Sequence, residues 1–329
     1  MILGAICRFL SNFAAYMEII FDINKVLELP ECAATIGVFD GVHAGHQQII
    51  SQMITDARFH GYKSMAITFD RQPRELFDAS FKPQLLTTLS EKKQLLSALG
   101  VDYVVVLPFT MEMAQLSARD FMQQVLMLRL NVKILRLGYD NRFGRGRTEG
   151  FEEYENYGRE IGMKVYRGIP LSFLGYTEPV SSSLIRRLIA VDGNVDAAAG
   201  MLTRLYKLSG TVKPGEHMGT TLGFPTANLE PEDADKLIPA KGAYVVIADL
   251  GNRQRLPAMM NIGTRPTFNG QKQTLEVNIF DFEGDLYGKQ IVVYFVERLR
   301  DERRFDSPEA LKAQLEEDKK RTLEIINRK

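Results

Sequence analysis

Residues 33–61 read AATIGVFDGVHAGHQQIISQMITDARFHG, and this stretch decides the fold of the first half of the chain. Ala33–Phe39 is an apolar run of the kind that forms a buried strand. Beyond the loop, Ile49, Ile50, Met53, Ile54 and Ala57 recur at helical spacing, and Gly61 is placed to end the helix. A strand that passes through a glycine-containing loop into an amphipathic helix opens a βαβ unit. The alternation continues outward. Apolar runs at 64–69, 101–107, 132–137 and 163–169 alternate with helical patterns at 91–99, 117–130 and 152–161. Ser117 and Asp120 are spaced like a capping box at the start of one of them. The expectation is an α/β doubly wound domain with a parallel sheet.

The pattern changes after about residue 200. Runs at 207–212, 223–229, 243–250, 256–262, 274–282 and 290–298 are separated by Gly, Pro and Asn turns, with no helix between them. Such strands pair antiparallel and close into a small barrel. Ser307-Pro308 then opens a helix with Leu311, Leu315, Leu323 and Ile326 on one face. The predicted architecture is a doubly wound domain over 17–190, a junction over 191–200, and a mainly antiparallel β-barrel with a C-terminal helix over 201–329. A chain of 329 residues is long enough for two domains. Residues 1–16 are apolar, but they lack a basic start, and Arg8 and Asn12 interrupt them; a dispensable extension is expected rather than a signal peptide.

Composition narrows the function. Lys+Arg and Asp+Glu are 41 each, which argues against a protein held to nucleic acid or an anionic membrane by net charge, though not against a local anion pocket. The two Cys give neither a disulfide framework nor a metal spacing, and a cytoplasmic protein is expected. There are only four His, and two of them fall in one motif.

That motif is Gly37–His46, GVFDGVHAGH, placed at the carboxyl end of a strand, where open α/β sheets bind ligands. Gly37, Gly41 and Gly45 let backbone N–H groups approach a phosphate, and the helix start adds its dipole. Phe39 and Asp40 belong to the same candidate nucleotide site. His43 and His46 can donate to a phosphoryl group as its charge grows. A metal site would need a third ligand, and no companion Cys/His cluster is present. Val180–Arg186, VSSSLIR, offers Ser182 and Ser183 at a helix start and Arg186 on the first turn for a triphosphate; read alone, it is a serine cap with a solvated arginine. The loop GYDNRFGRGR at 138–147 adds Asp140 and Asn141 at the end of another strand.

In the second half, GFPTAN at 223–228 places Thr226 and Asn228 two apart on an extended segment. Their oxygens suit Mg²⁺, which shares its shell with phosphates. Gly210, Gly215 and Gly219 precede them, as in a flap, and Gly219 and Gly223 are assigned to the same nucleotide site. In Leu275–Ile279, Glu276 and Asn278 face away from Leu275, Val277 and Ile279, and Glu276 can accept a proton from an attacking hydroxyl. On its own, such a Glu is simply solvated.

The GVFDGVHAGH decapeptide resembles the HxGH nucleotidyltransferase superfamily; the lysine-containing second signature of class I aminoacyl-tRNA synthetases is missing. Taken in order, GVFDGVHAGH, GYDNRFG, SSSLIR, GFPTAN, NIGTRPTF (261–268), LEVNIFDF (275–282) and LRDERRF (299–305) resemble the prokaryotic bifunctional riboflavin kinase/FAD synthetase family over residues 17–329. The resemblance implies an N-terminal module that transfers AMP to FMN and a barrel that phosphorylates riboflavin. It also implies Thr226 and Asn228 holding Mg-ATP, Glu276 as kinase base, His43, His46 and Arg186 on the transferring phosphate, and Asp140 positioning flavin or nucleotide. Substrates are then riboflavin, FMN and ATP, with Mg²⁺ as cofactor and no nucleic-acid, membrane or obligate protein partner. A monofunctional nucleotidyltransferase with a regulatory flavin-binding barrel is the alternative. Three departures stand out: Thr220 where the family's flap often has Arg, Asp70 where Glu is usual, and Leu202–Tyr206 (LTRLY) in place of Leu-Gly-Arg-Pro-Tyr. The first is expected to weaken a phosphate contact, the others to affect packing or loop shape.

Overall fold

A computed structural model describes residues 18–20, 28–214, 224–251, 254–267, 270–303 and 305–328. The chain divides into two compact units, one ending at Ser182 and the other running from Ser183.

The first unit holds strands β1 (Glu18–Ile20), β2 (Cys32–Ile36), β3 (Lys63–Phe69), β4 (Tyr103–Leu107), β5 (Val132–Leu137) and β6 (Lys164–Arg167). They lie in the order β1-β4-β3-β2-β5-β6, all pairs parallel. Helices between them are α1 (Ala44–His60), α2 (Pro73–Phe77), α3 (Leu89–Ala98), α4 (Met111–Gln115), α5 (Ala118–Asp120) and α6 (Phe151–Ile161). Strand alternation splits the core between the two faces of the sheet. Cys32, Ala34 and Ile36 pack with Met65, Ile67, Val105 and Leu107 on the side covered by Phe121, Met122 and Tyr154. Ala33, Ala66, Val104 and Val106 pack on the other side with Ile49, Ile50, Met53 and Ala57 of α1. The doubly wound expectation holds. Gly61 ends α1 as expected: at φ 72° its N–H reaches the carbonyls of Ala57 and Arg58.

The predicted helix at 117–130 is different in kind. Ser117 caps α5 through the Asp120 N–H, but Phe121–Met127 then winds as a π-helix. Bonds such as Leu128 N–H to Gln123 carbonyl span five residues. Apolar spacing at 121, 122, 125 and 126 does not separate the two windings, so the sequence pattern alone reads as α.

The second unit opens with α7 (Ser182–Ala190) and α8 (Val195–Leu202), so the expected junction at 191–200 carries helix. Six strands follow: β7 (Tyr206–Lys213), β8 (Ala227–Pro231), β9 (Gly242–Asp249), β10 (Arg255–Thr267), β11 (Gly270–Ile279) and β12 (Gln290–Arg300). They close as an antiparallel barrel in the order β10-β11-β8-β7-β12-β9. Gly210 lies inside β7, paired with both neighbouring strands, and so is ladder rather than flap. Helix α9 (Pro308–Arg328) covers one side of the barrel. Leu315 and Leu323 pack on Phe224, Met259 and Phe280, and Ile326 packs beside Ala243, Val245 and Val296. The centre of its inner face is polar: Arg300 of β12 grips Asp318 with Nε and a terminal nitrogen at 2.7–3.2 Å.

Removing one partner of a buried pair leaves the other charge uncompensated. With Asp318 side-chain exposure at 5% and Arg300 at 12%, Asp318→Ala is expected to destabilise the barrel by about 3 to 5 kcal/mol, read as a lowered urea midpoint of its unfolding transition.

Candidate active sites

β2 has β3 on one side and β5 on the other, and chain connections leave in opposite directions from it. The crevice at this switch point is where a doubly wound sheet takes its ligand. GVFDGVHAGH follows β2 and GYDNRFG follows β5, so the fold brings the two predicted loops to one edge. The Asn141 amide ties them, donating to the Ile36 carbonyl. Asp140 is exposed on the same loop.

The first loop is strained. Phe39, Gly41 and Val42 have φ of 50°, 83° and 39°, and a β-branched residue at positive φ is a true outlier. Its anchor is Asp40, which is 2% exposed. The Asp40 carboxylate accepts the N–H groups of Leu86 and Thr87 at 3.1 and 3.0 Å, and the Thr87 hydroxyl accepts the Gly41 N–H at 3.0 Å. Thr68 donates to the Val38 carbonyl and Ser182 to the Asp40 carbonyl. Gly37 donates its N–H to the Ile67 carbonyl.

His43 caps α1, its Nδ1 accepting the His46 N–H at 3.3 Å. An accepting Nδ1 puts the proton of the neutral ring on Nε2. The His46 ring stacks on His43 with centroids 3.6 Å apart, and the Phe39 ring meets His46 edge-on at 5.2 Å. Gly45 permits this, because a Cβ there would come within 3.3 Å of the His43 ring. Burial, reinforced by the charges of His43 and Lys92, holds His46 well below the usual histidine range. Its Nδ1 is buried without a hydrogen-bond partner among the described residues. With no acidic residue in its first turn, α1 keeps its positive end uncompensated. The arrangement offers donors to phosphate oxygens.

Lys92 was not legible as a site residue. It is 7% exposed on α3, donates to the Thr68 hydroxyl at 3.3 Å, and feels Asp40 and Asp70. The one signal was a lysine four residues before Leu96 on the buried face of a helix. Asp70 accepts the Phe109 N–H at 2.9 Å and so shapes the loop after β4. Ser183 and Arg186 lie on α7, in the second unit, Ser183 exposed and Arg186 half-buried.

In the barrel, Glu276 of β11 lies directly opposite Asn228 of β8 and, on its other side, Asn261 of β10. Residues opposite in a ladder share a face, so Asn261, Glu276 and Asn228 form one polar row. Thr226 stands just before β8. Asn278 donates to the Pro225 carbonyl at 2.7 Å. All are hard oxygen donors or amides, the kind of set that suits Mg²⁺ with phosphate. No group of three His, Cys, Asp or Glu among the described residues could hold a metal alone. Gly215, Gly219, Thr220 and Gly223 lie outside the described residues.

A doubly wound domain with an HxGH loop at its switch point, joined to a barrel with a carboxylate–amide row, defines a nucleotidyl- and phosphoryl-transfer enzyme. A family profile described as FAD synthetase matches residues 26–183, and one described as riboflavin kinase matches residues 202–326. The bifunctional riboflavin kinase/FMN adenylyltransferase of Escherichia coli K12 is 38% identical over 305 residues, covering 92% of this chain and 96% of that protein. The Haemophilus influenzae protein of the same name is 36% identical over 90% of this chain and 94% of its own. A solved structure described as a macrolide-efflux protein of Streptococcus pneumoniae superposes with a TM-score of 0.83 at 31% identity, covering 93% of this chain and 98% of that one. The chain belongs to the bifunctional riboflavin kinase/FMN adenylyltransferase family. The riboflavin kinase match favours the two-activity reading over a barrel that only regulates.

The depressed His46 has a stability consequence. The unfolded chain takes up this proton near pH 6.5, and the folded chain only at lower pH, so stability falls as pH drops below about 6.5, by at most about 1.4 kcal/mol per pH unit. Thermal melts between pH 7.5 and 5.5 should show wild type losing stability relative to His46→Gln.

Proposed function

We propose that the two loops at the switch point bind ATP and FMN for adenylyl transfer, and that the barrel row carries the phosphorylation of riboflavin. In the barrel, the ribityl terminal hydroxyl attacks the ATP γ-phosphate in line, and Glu276 accepts its proton. Thr226 and Asn228 hold ATP with Mg²⁺, which when bound supplies charge neutralisation on the phosphates. The register that sets Glu276 opposite Asn228 is the observation that carries this reading, since it puts the proposed base beside the proposed nucleotide holder.

At the switch point, the FMN phosphate attacks the α-phosphate of ATP and releases pyrophosphate. The nucleophile is already an anion, so no general base is needed. His43 and His46 donate to the transferring phosphate with the α1 N-terminus behind them. Arg186 is assigned to the triphosphate from its motif, as are Ser182 and Ser183. Gly37, Gly41 and Gly45 keep the backbone close to the nucleotide, while Asp40 acts by holding the loop and Asn141 by tying it to the β5 loop. Phe39 packs on His46, and Asp140 faces the flavin or nucleotide. Gly219 and Gly223 are assigned to the kinase nucleotide by motif.

We keep domains over 17–190 and 201–329 with 191–200 as the junction between them, although residues 183–190 cluster with the second unit, and we place the protein in the cytoplasm. Cys32 is a free, buried thiol, the state a reducing compartment keeps. No helix among the described residues is long and apolar enough to cross a membrane.

Chromatographic separation of flavins after incubation with ATP and Mg²⁺ tests the division of labour. Glu276→Ala should cut FMN formation by about 100-fold or more and leave FAD formation from supplied FMN intact. His46→Ala should do the reverse. Equal loss of both activities in either variant contradicts the assignment.

A further inference from the structure

The β8–β11 ladder pairs Asn228 with Glu276 and Ala227 with Val277, and β8 begins at Ala227. The ladder therefore stops just short of Thr226, the residue assigned to ATP and its metal. Pro225 has no N–H to continue it. The next residue of β11 after Val277 is Asn278, which is 5% exposed. Its Nδ2 donates to the Pro225 carbonyl at 2.7 Å, so a side chain supplies the bond that the backbone does not.

That carbonyl belongs to the Pro225–Thr226 peptide. Holding its oxygen fixes the peptide plane and hence the direction in which the Thr226 side chain leaves the backbone. Asn278 and Glu276 are two apart on one strand and face the same way. One strand thus carries both the proposed base and an anchor for the opposing loop. An asparagine in such a place is otherwise a buried polar group satisfied by a carbonyl. Its placement one peptide before Thr226 is what gives it a role in the reaction.

We propose that Asn278 is a positioning residue of the kinase site, holding the Pro225–Thr226 peptide so that the Thr226 hydroxyl stands on the same edge as Asn228 and Glu276. The inference rests on the reading of Thr226 as a ligand of metal-bound ATP. Asn278→Asp keeps the shape and loses the donor. Asn278→His restores a ring N–H at similar reach.

Two measurements on the full chain test this. Mn²⁺ binding in the presence of ADP, followed by electron paramagnetic resonance, should weaken by about 5- to 10-fold in Asn278→Asp, the range expected for losing one hydrogen bond. It should return toward wild type in Asn278→His. In kinase assays the KM for ATP should rise by a similar factor, with kcat changed less, while adenylyl transfer to supplied FMN stays at the wild-type rate. If Asn278→Asp fails to fold, Asn278→Ala removes the donor without burying a charge and serves in its place. Thr226→Ala separates the two readings. If it weakens Mn²⁺-ADP binding and the donor-less Asn278 variant does not, the positioning role is overturned and the metal assignment stands. If neither variant changes binding, the assignment of Thr226 falls, and the proposal with it.

Discussion

The nucleotidyl half depends on one buried carboxylate. Asp40 sits in a loop whose neighbours Phe39, Gly41 and Val42 all have positive φ. Such a loop persists only if its surroundings over-determine it. The Leu86 and Thr87 amides, the Thr87 hydroxyl and the Ser182 hydroxyl do so from two distant segments of the chain. Residues around each distort the backbone so that His43 lands as the cap of α1 and the imidazoles can stack. Loss of that anchor would relax the loop before it altered any group that meets a phosphate.

The barrel solves its positioning problem with register. Sliding β11 by one residue against β8 would turn Glu276 and Asn278 inward and Val277 outward. The buried Val277, Leu275 and Ile279 oppose that slip, so the hydrophobic alternation holds the polar row in place. The core and the polar row are specified by alternate residues of one strand, read on opposite faces.

Much of this was legible in the residues. Alternation of apolar runs and helical spacing gave both architectures, because each strand's odd and even positions go to different cores. The HxGH string could be named from its place at a strand end, but Glu276 and Asn228, ordinary when read alone, could be named only from the order of motifs that resembles the family. Other features were hidden for definite reasons. The anchoring role of Asp40 depends on Leu86 and Thr87, more than forty residues away. Lys92 looks like any surface lysine until α3 is docked. The Arg300–Asp318 pair joins a strand to a helix, and no spacing within either segment announces it. The π-winding at 121–127 leaves an apolar pattern that an α-helix would also leave.

The composition of the first site has a consequence for its response to salt. His46 is neutral, Lys92 is enclosed, and the loop amides and α1 dipole are fixed partial charges rather than exposed ions. Dissolved ions screen exposed charges over roughly 8–10 Å at physiological strength, but they reach enclosed groups far less. The chain carries as many acidic as basic residues, so its net charge adds no overall attraction for nucleotides. The loop amides, His43 and His46 therefore act at contact range, and salt reaches them far less than it reaches a half-exposed group such as Arg186.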